Sequence, residues 1–431
     1  MLATIGVASI EDLLKEIPDE LRIKGDLNVP EAFDEHRLLG KLFELSRKNK
    51  NCISDLVCFL GAGIYDRYIP ASVGAIISRG EFLTAYTPYQ PELSQGYLQT
   101  IYEFQSMVAE IYGMDLANAS MYDGATSMAE AAILAYGANG RAKVAVSSAV
   151  HPHYRQVLET YAWAMGLEVV EIVHENGATT NLSKLDDQAA CLIVQSPNFF
   201  GNIEDLAAAR KAAEEAGALL VVVSDPIASS LLKPPGEFGA DIAVGEGQPM
   251  GIAMGFGGPV VGLFACKAEH VRRIPGRIVG QTTDQGGRTG YAMTLRTREQ
   301  DIRREKATSN ICTNEALMAL SATVYMAAMG KNGMRQVAES TVRNTQYAIS
   351  EFEGAGIPVK FGKRVFGEFV LSLPGPATQV RDRLLDEGIL AGLPLGDYYP
   401  GMENALLVAV TEIRSKAQID RFVERLSTFA K

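Results

Sequence analysis

The sequence predicts an α/β protein with a mainly parallel central sheet flanked by helices. Between residues 115 and 265, short runs rich in Val, Ile and Leu alternate with helical segments. These runs do not alternate with polar residues, which is typical of parallel strands buried on both faces. With 431 residues, of which 47% are hydrophobic and 21% charged, the chain is long enough for two or three compact units.

The composition disfavours several other classes of protein. Lys and Arg number 40 against 51 Asp and Glu, a net charge of -11, which disfavours nonspecific binding to nucleic acids or anionic membranes. The five cysteines include no Cys-x-x-Cys, so we expect reduced thiols and no metal site. We find no secretory signal, transit peptide or apolar run long enough to span a membrane, and expect a cytoplasmic protein.

Three regions follow one another along the chain. Residues 1–60 form a predicted N-terminal helical arm, with a helix over 33–50, and this arm either clasps a partner subunit or packs on its own domain. Residues 61–330 contain the α/β pattern and form the predicted large domain. A break at Gly330 to Gly333 separates two predicted helices, and residues 331–431 form a small C-terminal α+β domain.

Ligands of parallel sheets bind at the carboxyl ends of the strands, so the loops there are candidate binding segments. The segment Asp123-Gly124-Ala125-Thr126-Ser127 opens a helix, and it could hold a phosphate group or simply cap the helix. His151 follows a strand over 144–147, where it could cover a flat ligand or pack as an ordinary core side chain.

Asp225 ends the most apolar strand, over residues 219–223. An aspartate in that position commonly meets a cationic ligand atom such as a pyridinium nitrogen. The glycine-rich segment that follows, residues 245–259, contains no lysine, and Lys233 and Lys267 are poorly placed to bond covalently to a cofactor held by Asp225.

Two further loops are rich in hydrogen-bonding groups. Tyr86, Tyr89 and Gln90 lie around two prolines, which predicts an ordered loop that either binds a ligand or packs at the surface. Residues 298–313 place Thr308-Ser309-Asn310 after a charged stretch. Because Glu299 and Arg303 are four residues apart, the charged stretch alone suggests a solvated, salt-bridged helix.

Several long motifs closely resemble the N-terminal half of the glycine cleavage system P protein, and the resemblance covers nearly the whole chain. The motifs lie at residues 86–96, 117–120, 255–259 and 275–280, and in the run that ends at Cys312-Thr313. The resemblance implies a pyridoxal-phosphate-dependent transferase of fold type I. It also implies that the complete enzyme decarboxylates glycine and passes the aminomethyl group to the lipoyl arm of the H protein.

In many prokaryotes this half is a separate chain, so the resemblance implies a partner, glycine dehydrogenase subunit 2, most simply in an α2β2 assembly. The family's cofactor lysine belongs to the other half, and laying its motif on this chain puts Gln248 at the lysine position. An amide cannot make the covalent bond to the cofactor. We therefore expect the partner to hold pyridoxal phosphate.

The same overlay assigns vestigial cofactor-binding roles to Gly124, Thr126, Ser127, His151 and Asp225. The expected function moves to the subunit interface. There we expect Tyr86, Tyr89 and Gln90 to contribute to catalysis, and Thr308, Ser309 and Asn310 to reach the partner's cofactor. Two alternatives stay open: a noncatalytic scaffold, and a self-sufficient lyase that uses Lys233 or Lys267.

Overall fold

The computed structural model describes residues 1–429. They divide into two compact units, Met1–Asn51 and a second unit that begins at Cys52. In the first unit the helices are α1 (Leu2–Ile5) and α2 (Glu35–Ser46). The Asp34 side chain caps α2 by accepting a hydrogen bond from Arg37 N, 2.8 Å away, so the helix is shorter than the predicted 33–50. None of the residues Met1–Asn51, all of which the structure describes, is buried.

The second unit contains most of the secondary structure. Its helices are α3 (Ala71–Ile77), α4 (Gly80–Leu83), α5 (Gln95–Tyr112), α6 (Gly124–Asn139), α7 (Pro152–Met165), α8 (Leu206–Ala216), α9 (Gln300–Arg303), α10 (Ala316–Gly354), α11 (Ala377–Asp386) and α12 (Lys416–Phe429). Its strands are β1 (Val57–Cys58), β2 (Leu116–Ala117), β3 (Lys143–Ser147), β4 (Glu168–Ile172), β5 (His174–Glu175), β6 (Ala178–Thr179), β7 (Ala189–Gln195), β8 (Leu219–Val223), β9 (Ile242–Glu246), β10 (Gly262–Cys266), β11 (Ile278–Thr283), β12 (Thr289–Thr294), β13 (Glu368–Ser372), β14 (Ile389–Leu390), β15 (Leu393–Pro394) and β16 (Ala405–Ala409).

The central sheet has seven strands in the order β2-β10-β9-β8-β7-β3-β4. The five strands from β4 to β9 pair in parallel, which confirms the mainly parallel sheet. One face packs through Ile193 and Val221 against α6, and the other packs through Leu192 and Leu220 against α8. At one edge β10 is antiparallel to both β9 and β2. The carboxyl ends of the parallel strands β3, β7, β8 and β9 therefore lie side by side, and the candidate site lies at these strand ends.

A smaller antiparallel sheet, in the order β13-β16-β15, packs against α11, α12 and the second half of α10. Within α10, Gly330 has non-helical dihedral angles, φ 59° and ψ 179°, so the chain bends where the sequence predicts a break. Glycine reaches this left-handed φ without steric penalty. None of the helices within residues 1–429 is long and apolar enough to cross a membrane.

Candidate functional site

Gln248 lies two residues after β9, and its side chain is fully used in hydrogen bonds. Its Nε2 donates to the carbonyl oxygens of Tyr65, at 3.0 Å, and of Ile252, at 2.8 Å. Its Oε1 accepts from Tyr65 N at 2.9 Å, and the residue is only 2% exposed. The side chain at the predicted lysine position therefore ties the segment before α3 to the turn after β9.

The start of α6, the predicted phosphate cup, is occupied by a carboxylate of the chain itself. Gly124 N donates to Glu246 Oε2 at 3.0 Å, and Glu246 Oε1 accepts from Gln248 N and from Val261 N, at 3.0 and 3.2 Å. A helix N-terminus is where a phosphate group would be expected to bind. Here Glu246 takes the place of that anion, and burial raises the pKa of its carboxyl to about 7.

The hydroxyl groups of the cup bond to Asp123. Thr126 Oγ1 donates to the Asp123 carboxylate at 2.8 Å and accepts from Asp123 N at 3.2 Å, and Ser127 Oγ donates to the Asp123 carbonyl oxygen at 2.7 Å. The Asp123 carboxylate in turn accepts from Thr126 N at 2.7 Å and caps α6. The sequence leaves open whether this segment binds a phosphate group or caps α6, and in the structure it caps α6.

His151 stacks against a tyrosine of its own chain. Its ring lies 4.9 Å from that of Tyr154, at an interplanar angle of 24°. Nδ1 accepts from His153 N at 3.1 Å, which leaves Nε2 as the protonated nitrogen that donates to the Ala62 carbonyl at 2.8 Å. Burial lowers the pKa of His151 to about 4, so the ring is neutral. A Cβ on Gly124 would lie 2.3 Å from the Tyr154 hydroxyl, which shows how tightly that tyrosine fills the space.

Asp225, the predicted partner of a pyridinium nitrogen, meets a guanidinium group instead. Its Oδ1 accepts from Ile227 N and Ala228 N, at 2.7 and 2.9 Å. Its Oδ2 lies 3.7 Å from Arg67 Nη2, and Arg67 Nη1 lies 2.8 Å from Glu412 Oε2. Arg67 is 7% exposed, so this ion-pair network is buried.

The space left between these side chains is a cavity of about 50 Å³, bordered by Tyr65, His151, Asp225, Glu246 and Glu368. A second pocket of about 390 Å³ shares His151, Tyr154 and Glu246 with this cavity and is also bordered by Gln248. Because pockets that hold drug-sized ligands measure about 300–1,000 Å³, the fit of pyridoxal phosphate is decided by the lining residues and not by the volume. The residues present do not fit pyridoxal phosphate: the nucleophile is absent, the phosphate position is filled, and the ring position is covered.

Neither lysine of the self-sufficient alternative borders this cavity. Lys233 is exposed, and its Nζ lies 3.8 Å from Glu237 Oε2. Lys267 forms an ion pair with Asp241 at the far end of the sheet strands.

The loop that follows α4 is brought against the segment that precedes α10. The Tyr89 hydroxyl hydrogen-bonds Thr313 Oγ1 and donates to Asn314 Oδ1 at 2.7 Å, and the Arg277 guanidinium lies 4.1 Å from the ring centroid of Tyr89. Tyr86 and Gln90 are exposed, Tyr86 at 90%. Tyr89 therefore faces its own chain, whereas its two predicted companions face outward.

Thr308 and Asn310 are exposed, and Ser309 is half-buried. The Ser309 hydroxyl accepts from Ile311 N at 3.1 Å. The structure thus places Ser309 inward and leaves its two neighbours at the surface, in the stretch that leads to the Tyr89 contact.

The salt-bridged helix suggested for the charged stretch is wrong. Helix α9 covers only Gln300–Arg303, and Glu299, which is buried, lies 3.4 Å from Arg277 rather than pairing with Arg303. Arg303 Nε donates to the Thr297 carbonyl at 3.1 Å. The long-range contact with Arg277 outweighs the local spacing because it neutralises a charge that the fold buries.

Sequence reasoning missed the side chains that fill the predicted cofactor position, namely Tyr65, Arg67, Tyr154, Glu246 and Glu368. Glu368 accepts from Ala62 N at 2.7 Å and from the Tyr65 hydroxyl at 2.8 Å, and burial raises its pKa to about 7. One signal was available, because Glu246 is an acidic residue at the carboxyl end of a buried strand, where ligands of parallel sheets bind. The other contacts join residues too far apart in the chain for any spacing rule.

Comparison with solved structures defines the class of protein first. The chain is similar to a sphingosine-1-phosphate lyase of Burkholderia pseudomallei K96243, with a TM-score of 0.68, 14% identity and coverage of 96% and 95% of the two chains. It is also similar to an alanine–glyoxylate aminotransferase from Nostoc sp., with a TM-score of 0.62, 16% identity and coverage of 88% and 96%. At these identities the likeness shows the fold, which is the predicted fold type I of pyridoxal-phosphate-dependent enzymes.

Closer relatives then define the family. The family model for the glycine cleavage system P-protein matches residues 1–426. The probable glycine dehydrogenase (decarboxylating) subunit 1 of Geobacillus kaustophilus (strain HTA426) is 52% identical over 430 residues, which cover 99% of this chain and 96% of the relative. A crystal structure of glycine decarboxylase (P-protein) in inhibitor-bound form gives a TM-score of 0.93 at 43% identity, covering 99% and 97%. The chain belongs to the glycine cleavage system P-protein family, which confirms the resemblance.

Proposed function

We propose that this chain is the first subunit of a heteromeric glycine dehydrogenase (decarboxylating), and that it acts with a second subunit that holds the pyridoxal phosphate. Family membership supports the reaction, in which glycine is decarboxylated and the aminomethyl group passes to the lipoyl arm of the H protein. The observation that supports this division between the subunits is the set of hydrogen bonds at the predicted cofactor position: Gln248 Nε2 donates to the Tyr65 carbonyl, and Glu246 Oε2 accepts from Gly124 N.

The proposed contribution of this chain is a surface for the partner's active site. Its outward-facing members are Tyr86, Gln90, Thr308 and Asn310, all of which are exposed. Tyr89 stabilises that surface, because its hydroxyl hydrogen-bonds the Thr313 and Asn314 side chains in the segment after Asn310. An α2β2 assembly and a cytoplasmic location belong to the same proposal.

A borohydride experiment tests where the cofactor is held. The chain is purified with its lysine-bearing partner, pyridoxal phosphate is added, and the complex is reduced and digested. We expect the phosphopyridoxyl label on a lysine of the partner and on none of this chain. A label on Lys233 or Lys267 would overturn the proposal in favour of a self-sufficient lyase.

A second experiment separates a contributing subunit from a noncatalytic scaffold. The variants Tyr89→Phe and Asn310→Ala are each assembled with the partner, and complex formation and glycine decarboxylation are measured side by side. We expect intact assembly with reduced turnover, whereas Tyr136→Phe and Asn404→Ala, which change the same groups elsewhere, keep full turnover. Full turnover in the first two variants would favour the scaffold.

A further inference from the structure

A further cavity, of about 300 Å³, lies beside the candidate site, and we call it the α8 cavity. It is bordered by Ser196 and Ser224 at the ends of β7 and β8, by Leu206 at the start of α8, and by Arg364 in the segment before β13. The described residues that border it all belong to the second unit. Its size is at the lower end of the range for pockets that hold small molecules, about 300–1,000 Å³.

Much of the wall of the α8 cavity is apolar. The apolar side chains that border it are Ile203, Leu206, Ala228, Leu232, Pro235 and Phe238. A ligand with an apolar body would lose contact with water on this wall, which favours binding.

Arg364 is a cation without a partner at the rim of the cavity. Its backbone is fixed, because its carbonyl accepts from Ile203 N at 3.0 Å and the next residue, Val365, forms a β-bridge with Asn202. Its guanidinium group is exposed and forms no hydrogen bond, ion pair or ring contact with any of residues 1–429. Five N–H donors of a permanently charged group are therefore available to an anion.

Lys233 is the second cation that borders the cavity. Its Nζ lies 4.8 Å from the ring centroid of Phe238 and 3.8 Å from Glu237 Oε2. The Glu237 side chain is 61% exposed, and an exposed ion pair of this kind contributes little to stability. The Lys233 ammonium group can therefore bind a second anion without a large loss.

The two carboxylates that border the cavity are already engaged. Glu204 accepts from Thr179 Oγ1 at 2.8 Å and from Asn198 Nδ2 at 2.7 Å. Asp205 accepts from Ala208 N at 3.0 Å and caps α8. The groups that remain available at the cavity are therefore mainly donors.

Ser196 adds a buried donor. It is 6% exposed, and its hydroxyl oxygen accepts from Glu204 N at 3.2 Å. Its own O–H donates to none of the residues that the structure describes. A buried hydroxyl without an acceptor costs free energy, so an acceptor on a ligand would be favourable at this position.

We propose that the α8 cavity binds a carboxylic acid with an apolar or aromatic body. Arg364 and Lys233 bind the carboxylate, Ser196 donates to an acceptor atom of the ligand, and the body packs on the apolar wall. A single negative charge is preferred over the two of a phosphate ester, because Glu204 and Asp205 border the same cavity and repel added negative charge. Such a ligand would connect the segment before β13 to the ends of β7 and β8.

Isothermal titration calorimetry of the full-length chain tests the inference with phenylacetate, hydrocinnamate and isocaproate as probes. We expect one molecule of acid to bind per chain. Phenylacetamide, which has the same ring without the charge, and acetate, which lacks the apolar body, should bind more weakly by about tenfold or more. Binding of none of the three acids, or equal binding of phenylacetamide, would overturn the proposal. Tighter binding of the dianion phenylphosphonate in mildly alkaline buffer would refute the preference for a carboxylate.

Two variants place the binding in the α8 cavity. Arg364→Gln and Lys233→Gln each remove one charge, and we expect each to weaken phenylacetate binding by about tenfold or more. The matched controls are Arg272→Gln, at another exposed arginine, and Lys211→Gln, whose Nζ lies 3.8 Å from Glu215 in an equally exposed pair. The controls should bind like the parent chain. Unchanged binding in Arg364→Gln, or equal losses in the controls, would show that the acid binds elsewhere. These readouts do not depend on decarboxylation, so they are independent of the proposed function.

Discussion

Replacing Gln248 with methionine tests whether the side chain at the predicted lysine position stabilises the fold. Methionine has nearly the same size, so the change removes three hydrogen bonds without opening a cavity. It leaves the N–H and carbonyl of Tyr65 and the carbonyl of Ile252 without their partner at a site that is 2% exposed. Each lost bond costs about 1 kcal/mol and more where the group stays buried, so we expect a loss of about 3–5 kcal/mol in the free energy of unfolding.

Urea unfolding followed by far-ultraviolet circular dichroism measures this loss. Fluorescence is a poor reporter, because the single tryptophan, Trp163, is 84% exposed. The matched control is Gln99→Met, which removes one hydrogen bond to Glu103, 2.9 Å long, on the exposed face of α5. We expect the control to stay within about 0.5 kcal/mol of the parent chain.

If Gln248→Met unfolds at the same urea concentration as Gln99→Met, the glutamine does not brace the segment before α3. If both variants lose several kcal/mol, glutamine-to-methionine exchange is harmful at any position, and the argument from burial is refuted.

Three further predictions concern the buried side chains at the candidate site. Arg67→Met leaves the buried carboxylate of Glu412 without its cation, and we expect a loss of about 3–5 kcal/mol in urea unfolding, partly recovered by Arg67→Lys. Glu246 and Glu368 have pKa values of about 7 in the folded chain, above the ordinary 4.5. The folded chain therefore binds protons more tightly than the unfolded chain, and the free energy of unfolding falls as the pH rises from about 4.5 to about 7. Glu246→Gln or Glu368→Gln should remove part of that fall, at most about 3 kcal/mol each, when urea midpoints at acidic and alkaline pH are compared. Gln248→Lys should still take no borohydride-stable label, because Glu246 keeps the phosphate position filled.

A different result would contradict each of these predictions. If Arg67→Met has the same free energy of unfolding as the parent chain, the buried ion pairs do not stabilise the fold. An unchanged pH slope in both glutamine variants would place the titration elsewhere. A phosphopyridoxyl group on the new lysine at position 248 would show that the former site can still open.

The fold could be predicted from the sequence because its signal is local. Runs such as Leu219–Val223 are apolar on both faces, which identifies buried parallel strands, and Gly330 marks the bend in α10. The antiparallel direction of β10 could not be predicted, because a fully buried strand has the same composition in either direction. Likewise the exact end of α2 depends on the Asp34 cap rather than on periodicity.

The candidate site was predicted only by position. The sequence places Gln248, His151 and Asp225 at strand ends, but it does not reveal what fills the space between them. The contacts that fill it join distant parts of the chain, such as Arg67 to Glu412 and Gln248 to Tyr65.

The Glu246 carboxyl competes with any free anion for the backbone N–H of Gly124 at the start of α6. Because Glu246 is part of the same chain, its effective concentration there is set by the fold and not by the supply of a phosphorylated vitamin. A free ligand would have to displace it and leave a buried carboxyl without its three backbone donors. If the partner holds the cofactor, as proposed, the folding of this chain should not depend on the supply of pyridoxal phosphate.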